Sequence, residues 1–119
     1  MNTKLPQFLS LLANIKLAHW QANSKTNEHE SLGDLYDALE PLVDKYAELT
    51  LGKRGNRDIE TVEGLNLTVN ADYLDIVNSG LALIGECRSH WMTGIDDDML
   101  NTLADMSTAF NHAKFFLIL

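Results

Sequence analysis

The sequence contains little cysteine, little proline and little basic charge, and each shortage excludes a class of protein. Cys87 is the single cysteine, so a disulfide within the chain is excluded and a reducing compartment, the cytoplasm, is expected. No segment reaches the roughly 20 uninterrupted apolar residues of a membrane-spanning helix. Two prolines in 119 residues leave room for long helices, and this length suits one domain over residues 1–119.

Basic residues are outnumbered, with 9 Lys and Arg against 17 Asp and Glu and a net charge of −8. Nucleic-acid binding depends on clustered positive charge that neutralises phosphates. Lys53, Arg54 and Arg57 form the one such cluster, and it lies in a glycine-rich stretch that we interpret as a solvated loop. We therefore expect neither nucleic acid nor a membrane as a partner.

Apolar residues recur at intervals of three and four in four stretches, as on the buried face of an amphipathic helix. This spacing predicts helices that cover about residues 5–23, 27–52, 71–91 and 96–117. Side chains able to cap the first three helix starts are Thr3, Asn27 with Glu30, and Asn70. Pro41 is expected to kink or loosen the second helix, and Gly52 to end it.

The connection between the second and third helices, residues 53–69, is long and has no clear period. Ile59, Val62 and Leu65 are spaced to form one helical turn that covers the core. Short turns join the other helices in sequence. One long crossover between helices 2 and 3 predicts an all-α, ferritin-like four-helix bundle rather than an up-down-up-down bundle.

Four side chains form the candidate metal site: His19, His29, Asp44 and Glu48. Taken singly, His19 is a core histidine, His29 a residue of a helix start, and the two carboxylates a solvated face. Taken together, imidazole and carboxylate suit iron, manganese or zinc. His29 and Asp44 lie 15 residues apart on one helix, about 22 Å, so one chain cannot hold a single metal with both. Two such helices packed antiparallel about a two-fold axis can, which predicts a homo-oligomer of at least two chains.

The run HWQANSKTNEHESLGDLYDALEPLVDKYAELTLG resembles the central signature of the Dps family of ferritin-like proteins. In that family a His-Trp pair ends the first helix, a His-Glu pair opens the second, and an Asp-x-x-x-Glu pair follows. The matching residues here are His19-Trp20, His29-Glu30, and Asp44 with Glu48. The last segment is similar to the family's last helix, with its Lys-aromatic-aromatic ending at residues 114–116.

The resemblance implies a ferroxidase that binds one or two iron ions between subunits, with histidines from one chain and carboxylates from the other. No catalytic residue beyond the metal ligands is implied, and Zn or Mn are expected surrogates for iron. The resemblance also implies a cage that stores iron. Short Dps-like proteins of this kind are familiar from tailed phages, so it implies the cytoplasm of a bacterium or of a phage-infected host.

The sequence departs from the family pattern at one ligand position. The family has an aspartate one turn after the second histidine, where this sequence has Gly33. Asp34 is the neighbouring carboxylate, but one position is about 100° of helix rotation, which makes it a poor substitute. An alternative function therefore stays open: a catalytically inactive helical interaction or structural protein that kept the fold.

Overall fold

Four helices and no strand make up the part of the chain that the computed structural model describes, residues 3–62 and 64–118. In chain order the helices are α1 (Leu5–Gln21), α2 (Asn27–Arg54), α3 (Tyr73–Arg88) and α4 (Asp97–Leu117). The prediction of an all-helical chain with four helices is confirmed. No helix in the described ranges is both long and apolar enough to cross a membrane.

All three predicted helix caps are wrong by one or two residues. Lys4, and not Thr3, is the cap residue of α1, although the Thr3 hydroxyl accepts a hydrogen bond from the Leu5 N–H at 3.2 Å. α2 begins at Asn27 as predicted, but Thr26 is its cap, and the Thr26 hydroxyl accepts a hydrogen bond from the His29 N–H at 3.3 Å. Asp72, and not Asn70, caps α3 with its carboxylate. Thr26 and Asp72 have the extended backbone that a cap requires, whereas Asn70 lies in a left-handed turn outside the helix.

The second helix is longer than predicted. It continues past Gly52 to Arg54 and ends at Gly55, whose φ of 75° is the left-handed conformation that a glycine adopts at low cost. α2 also runs through Pro41 without a break, and the Pro41 ring lies on its exposed face. α1 and α3 end earlier than the apolar spacing predicted, since that spacing carries on into the turns that follow them.

The core lies between the four helices, because α1 and α4 each pack against both α2 and α3. Its largest fully buried side chains include Tyr46, Phe8, Phe110, Ile15, Leu32 and Ile84. Gly80 of α3 leaves the space that the Phe110 ring occupies. The buried Tyr46 hydroxyl has a hydrogen-bond partner, since the Trp91 Nε1–H donates to it at 3.1 Å.

The crossover, residues 55–72, runs along the whole length of α1. Near its start the Glu60 carboxylate accepts hydrogen bonds from the Thr3 hydroxyl at 2.8 Å and the Thr3 N–H at 3.2 Å. Near its end the Asn70 N–H donates to the Gln21 side chain at 2.8 Å. Since α1 and α2 are joined by a short turn, the crossover returns the chain to the end of the bundle where α2 begins. α3 therefore runs parallel to α2.

The predicted helical turn in the crossover is wrong. Ile59, Val62 and Leu65 are outside any helix, and their side chains are 50%, 52% and 53% exposed. The chain must span α1, about 27 Å from residue 3 to 21, in the ten residues from 60 to 70. A helix of ten residues covers only about 15 Å, so residues 60–62 and 64–70 follow an extended path, and the main chain of Asn66 and Thr68 bonds to the Asn14 side chain.

Glu60 should stabilise the fold in a pH-dependent way. Partial burial alone raises the pKa of its carboxyl, but hydrogen bonds from Thr3 outweigh burial and the pKa is lowered. This stabilisation is present above the unfolded-state pKa and is lost as the pH falls through the folded-state pKa. We expect Glu60→Gln to lower the free energy of unfolding by about 1 kcal/mol at pH 7, and the difference to vanish in acid.

Urea denaturation across pH checks this expectation. Asp58→Asn is the matched control, because it removes the same charge from the same exposed segment and the Asp58 carboxylate has no partner within residues 3–62 and 64–118. An equal effect of both substitutions, or an effect of Glu60→Gln that persists in acid, would show that the Thr3 contact is not the cause.

Candidate metal site

The turn between α1 and α2, residues 22–26, brings His19 and His29 into contact. His19 lies in the last turn of α1 and His29 in the first turn of α2. The Thr26 cap holds the main chain at His29, and both histidines are partly buried. The two predicted imidazole ligands therefore meet within one chain.

The two histidines bond to each other's main chain. Nδ1 of His19 lies 2.6 Å from the carbonyl oxygen of His29, and Nδ1 of His29 lies 2.7 Å from the carbonyl oxygen of His19. The rings stack, with centroids 3.9 Å apart and an interplanar angle of 26°. Each ring is thus held by one directed bond and one face-to-face contact.

These bonds fix which nitrogen of each ring carries the proton. A backbone carbonyl can only accept, so Nδ1 of both His19 and His29 must be the N–H donor. In a neutral imidazole the lone pair is then on Nε2. Metal-binding histidines are commonly oriented in this way, by an N–H donated to a main-chain carbonyl. In both neutral rings the tautomer is therefore defined, and Nε2 is the atom that can bind a metal ion.

The predicted carboxylate ligands are elsewhere on the same chain. Asp44 and Glu48 lie one turn apart on the exposed face of α2, about 22 Å and about 28 Å along the helix from His29. Neither carboxylate has a hydrogen bond or an ion pair within the described chain. The structure brings His19 and His29 together and leaves Asp44 and Glu48 free at a distance.

The doubtful ligand, Asp34, faces a different part of the surface. It lines a cleft of about 140 Å³ between α2 and α4, together with Glu30 and His112. The neighbouring Gly33 lies against the His19 ring instead. Within the described ranges, no group of three or more His, Cys, Asp or Glu side chains is arranged to hold a metal. One chain therefore supplies at most a partial ligand set.

Trp20, which follows His19 in the sequence, is 68% exposed and does not pack in the core. Sequence analysis missed one feature of this site. It treated Gly33 only as a missing ligand, although a glycine inside a helix is unfavourable and indicates that something approaches closely. That signal was available, but the group that approaches, the His19 ring, could be identified only in three dimensions.

Comparison with known proteins adds no assignment. The chain matches no family model, no curated protein and no solved structure. The geometry of the histidine pair is therefore the basis on which function is argued.

We predict that both site histidines are in the Nδ1–H tautomer in the metal-free protein at neutral pH. Long-range ¹H–¹⁵N correlation spectra distinguish the two ring nitrogens and can be recorded on the intact chain. His90 is the internal control, because it is exposed and its ring has no hydrogen bond within residues 3–62 and 64–118. Nε2–H signals from His19 and His29 would contradict the reciprocal bonding.

Proposed function

We propose that this chain is a Dps-like subunit that binds Fe(II) and oxidises it at a metal site shared between two subunits. The observation that carries the proposal is the pair of His19 and His29, whose Nδ1 atoms are both bonded to main-chain carbonyls. This bonding engages Nδ1 of each ring and leaves Nε2 of each ring as the nitrogen available to a metal ion. Imidazole nitrogen suits Fe(II) and also Zn(II).

The arrangement of the helices supports a ferritin-like assignment for the bundle. α1 packs against α2 and α3, α4 packs against the same two, and a crossover along α1 joins α2 to the parallel α3. A bundle with one long crossover connection of this kind is typical of ferritin-like proteins. In such bundles metal sites are built from side chains on facing helices.

A second subunit supplies what one chain lacks. Asp44 and Glu48 lie exposed on the same helix as His29, and their carboxylates have no partner in the part of the chain that the structure describes. If two α2 helices pack antiparallel about a two-fold axis, His29 of each chain faces these carboxylates of the other, and the contact repeats in reverse. The proposal therefore includes a homodimer as the smallest active unit, within a larger cage.

Iron is the substrate in this proposal. The histidine nitrogens bind Fe(II), and the carboxylates of the other chain add hard, negatively charged oxygens that favour the ferric product. Each Fe(II) gives one electron to oxygen or hydrogen peroxide. The net charge of −8 draws cations towards the assembly, and the reducing cytoplasm supplies iron as Fe(II).

A second candidate function is a helical structural or interaction protein without metal chemistry. The same histidine contacts favour it, because they tie α1 to α2 without any metal. The carbonyl of His19 lies in the last turn of α1, where helix carbonyls lack partners within the helix. The His29 Nδ1–H satisfies it at 2.7 Å. A stabilising role for the pair is thus complete in a single chain.

Mixed dimers separate the two candidate functions. One chain carries Asp44→Ala with Glu48→Ala, and the other carries His19→Gln with His29→Gln, since a glutamine amide can still donate to the carbonyls. Each variant alone should bind no Zn(II) at the site and should lose catalysed Fe(II) oxidation. A purified heterodimer contains one intact set of ligands, contributed by both chains. It should recover one site per dimer, measured by Zn(II) titration, and about half the oxidation rate.

The wild-type chain and an exposed-carboxylate variant, Asp105→Ala on α4, are the controls for this experiment. A folded heterodimer that binds no Zn(II) would exclude the shared site, because ligands from a single chain are incomplete in both variants. Unchanged Zn(II) binding by the double-glutamine chain would show that the histidines are structural only.

A further inference from the structure

Gly33 lies inside α2, one turn after His29, where a glycine is unfavourable. In a helix interior, glycine costs roughly 0.5–1 kcal/mol relative to alanine, because it loses more backbone freedom on folding. Two other helix-interior glycines, Gly52 and Gly85, have open space where a Cβ would lie. Gly33 differs from them, because its missing side chain is replaced by a neighbouring ring.

The His19 ring occupies the space that a side chain at Gly33 would need. A Cβ at residue 33 would lie 2.7 Å from Cε1, 3.0 Å from Nδ1 and 3.5 Å from Nε2 of His19. Carbon atoms in contact normally stay about 3.5–4.0 Å apart. Any residue other than glycine therefore requires the imidazole to move.

The imidazole cannot move without losing its own contacts. The same ring donates its Nδ1–H to the His29 carbonyl at 2.6 Å and stacks on the His29 ring at 3.9 Å. A shift of the ring by nearly 1 Å away from residue 33 lengthens or breaks one of these contacts. A side chain at residue 33 would therefore weaken the hydrogen bond or the ring stacking between His19 and His29.

We infer that Gly33 is a positioning residue that sets the ligand composition of the proposed metal site. It admits the His19 ring to the face of α2, so the site that holds this chain's two oriented imidazoles receives no carboxylate from residue 33. An aspartate at residue 33 and the present His19 position exclude each other, since the first side-chain atom already collides. The inference rests on the proposed function only where it concerns the metal. The steric exclusion of a side chain at residue 33 by the His19 ring does not depend on that function.

The consequence concerns the class of metal. Two imidazole nitrogen ligands from one chain favour borderline divalent ions such as Fe(II) and Zn(II) over Mn(II) and Mg(II), which prefer oxygen. Gly33 therefore favours nitrogen ligation by this chain and leaves the negative charge of the site to the partner chain's carboxylates.

Gly33→Ala and Gly33→Asp test the inference, with Gly85→Ala as the matched control on α3. Zn(II) affinity is measured by calorimetric titration of the intact protein, and the His19 tautomer by ¹H–¹⁵N NMR without metal. We expect both Gly33 variants to bind Zn(II) about 10- to 100-fold more weakly and to lose the His19 Nδ1–H signal, as when a group that orients a metal ligand is removed. Gly85→Ala should match the wild type in both measurements.

The result that overturns the inference is tighter Zn(II) binding by Gly33→Asp with unchanged binding by Gly33→Ala, because Gly33 would then be only a missing ligand. A double substitution, His19→Gln with Gly33→Ala, adds a coupling test: if Gly33 acts through His19, alanine should add little in that background. Absence of Zn(II) binding by the wild type would contradict the proposed function, whereas the NMR comparison would still decide the steric role of Gly33.

Discussion

The candidate site depends on one constraint: the imidazoles of His19 and His29 each hydrogen-bond to the main chain of the other residue. The bonds of 2.6 and 2.7 Å run in both directions between the end of α1 and the start of α2. They determine the proton position on His19 and His29, and they require that residue 33 have no side chain. One reciprocal contact thus joins the end of α1 to the start of α2, determines the tautomer of both histidines and accounts for a glycine inside a helix.

The rest of the bundle places this pair at one end of the molecule and the free carboxylates at a distance. The crossover along α1 returns the chain so that α3 and α4 complete the core. Among residues 3–62 and 64–118 of their own chain, the carboxylates of Asp44 and Glu48 have no hydrogen-bond or ion-pair partner. The proposed site, shared between two chains, combines the histidines of one chain with the carboxylates of the other, and a two-fold axis provides that combination twice.

Periodicity made the helices predictable, because each one buries a continuous apolar stripe against its neighbours. The caps were harder, since Thr26 and Asp72 differ from their polar neighbours only in backbone conformation. The existence of the crossover was predicted, but its path was not, because the path depends on bonds between residues about 50 positions apart, such as Asn14 with Asn66. For the candidate site, the sequence predicted the residue types and their spacing. It did not predict that His19 and His29 hydrogen-bond to each other's main chain.

Anomalous diffraction from crystals grown with Zn(II) tests the central claim most directly, because it locates the metal and its ligands at once. The account predicts a zinc peak between Nε2 of His19 and His29 in one chain and the carboxylates of Asp44 and Glu48 in a two-fold partner. A peak ligated by one chain alone, or zinc bound only in the cleft lined by Asp34, would contradict it.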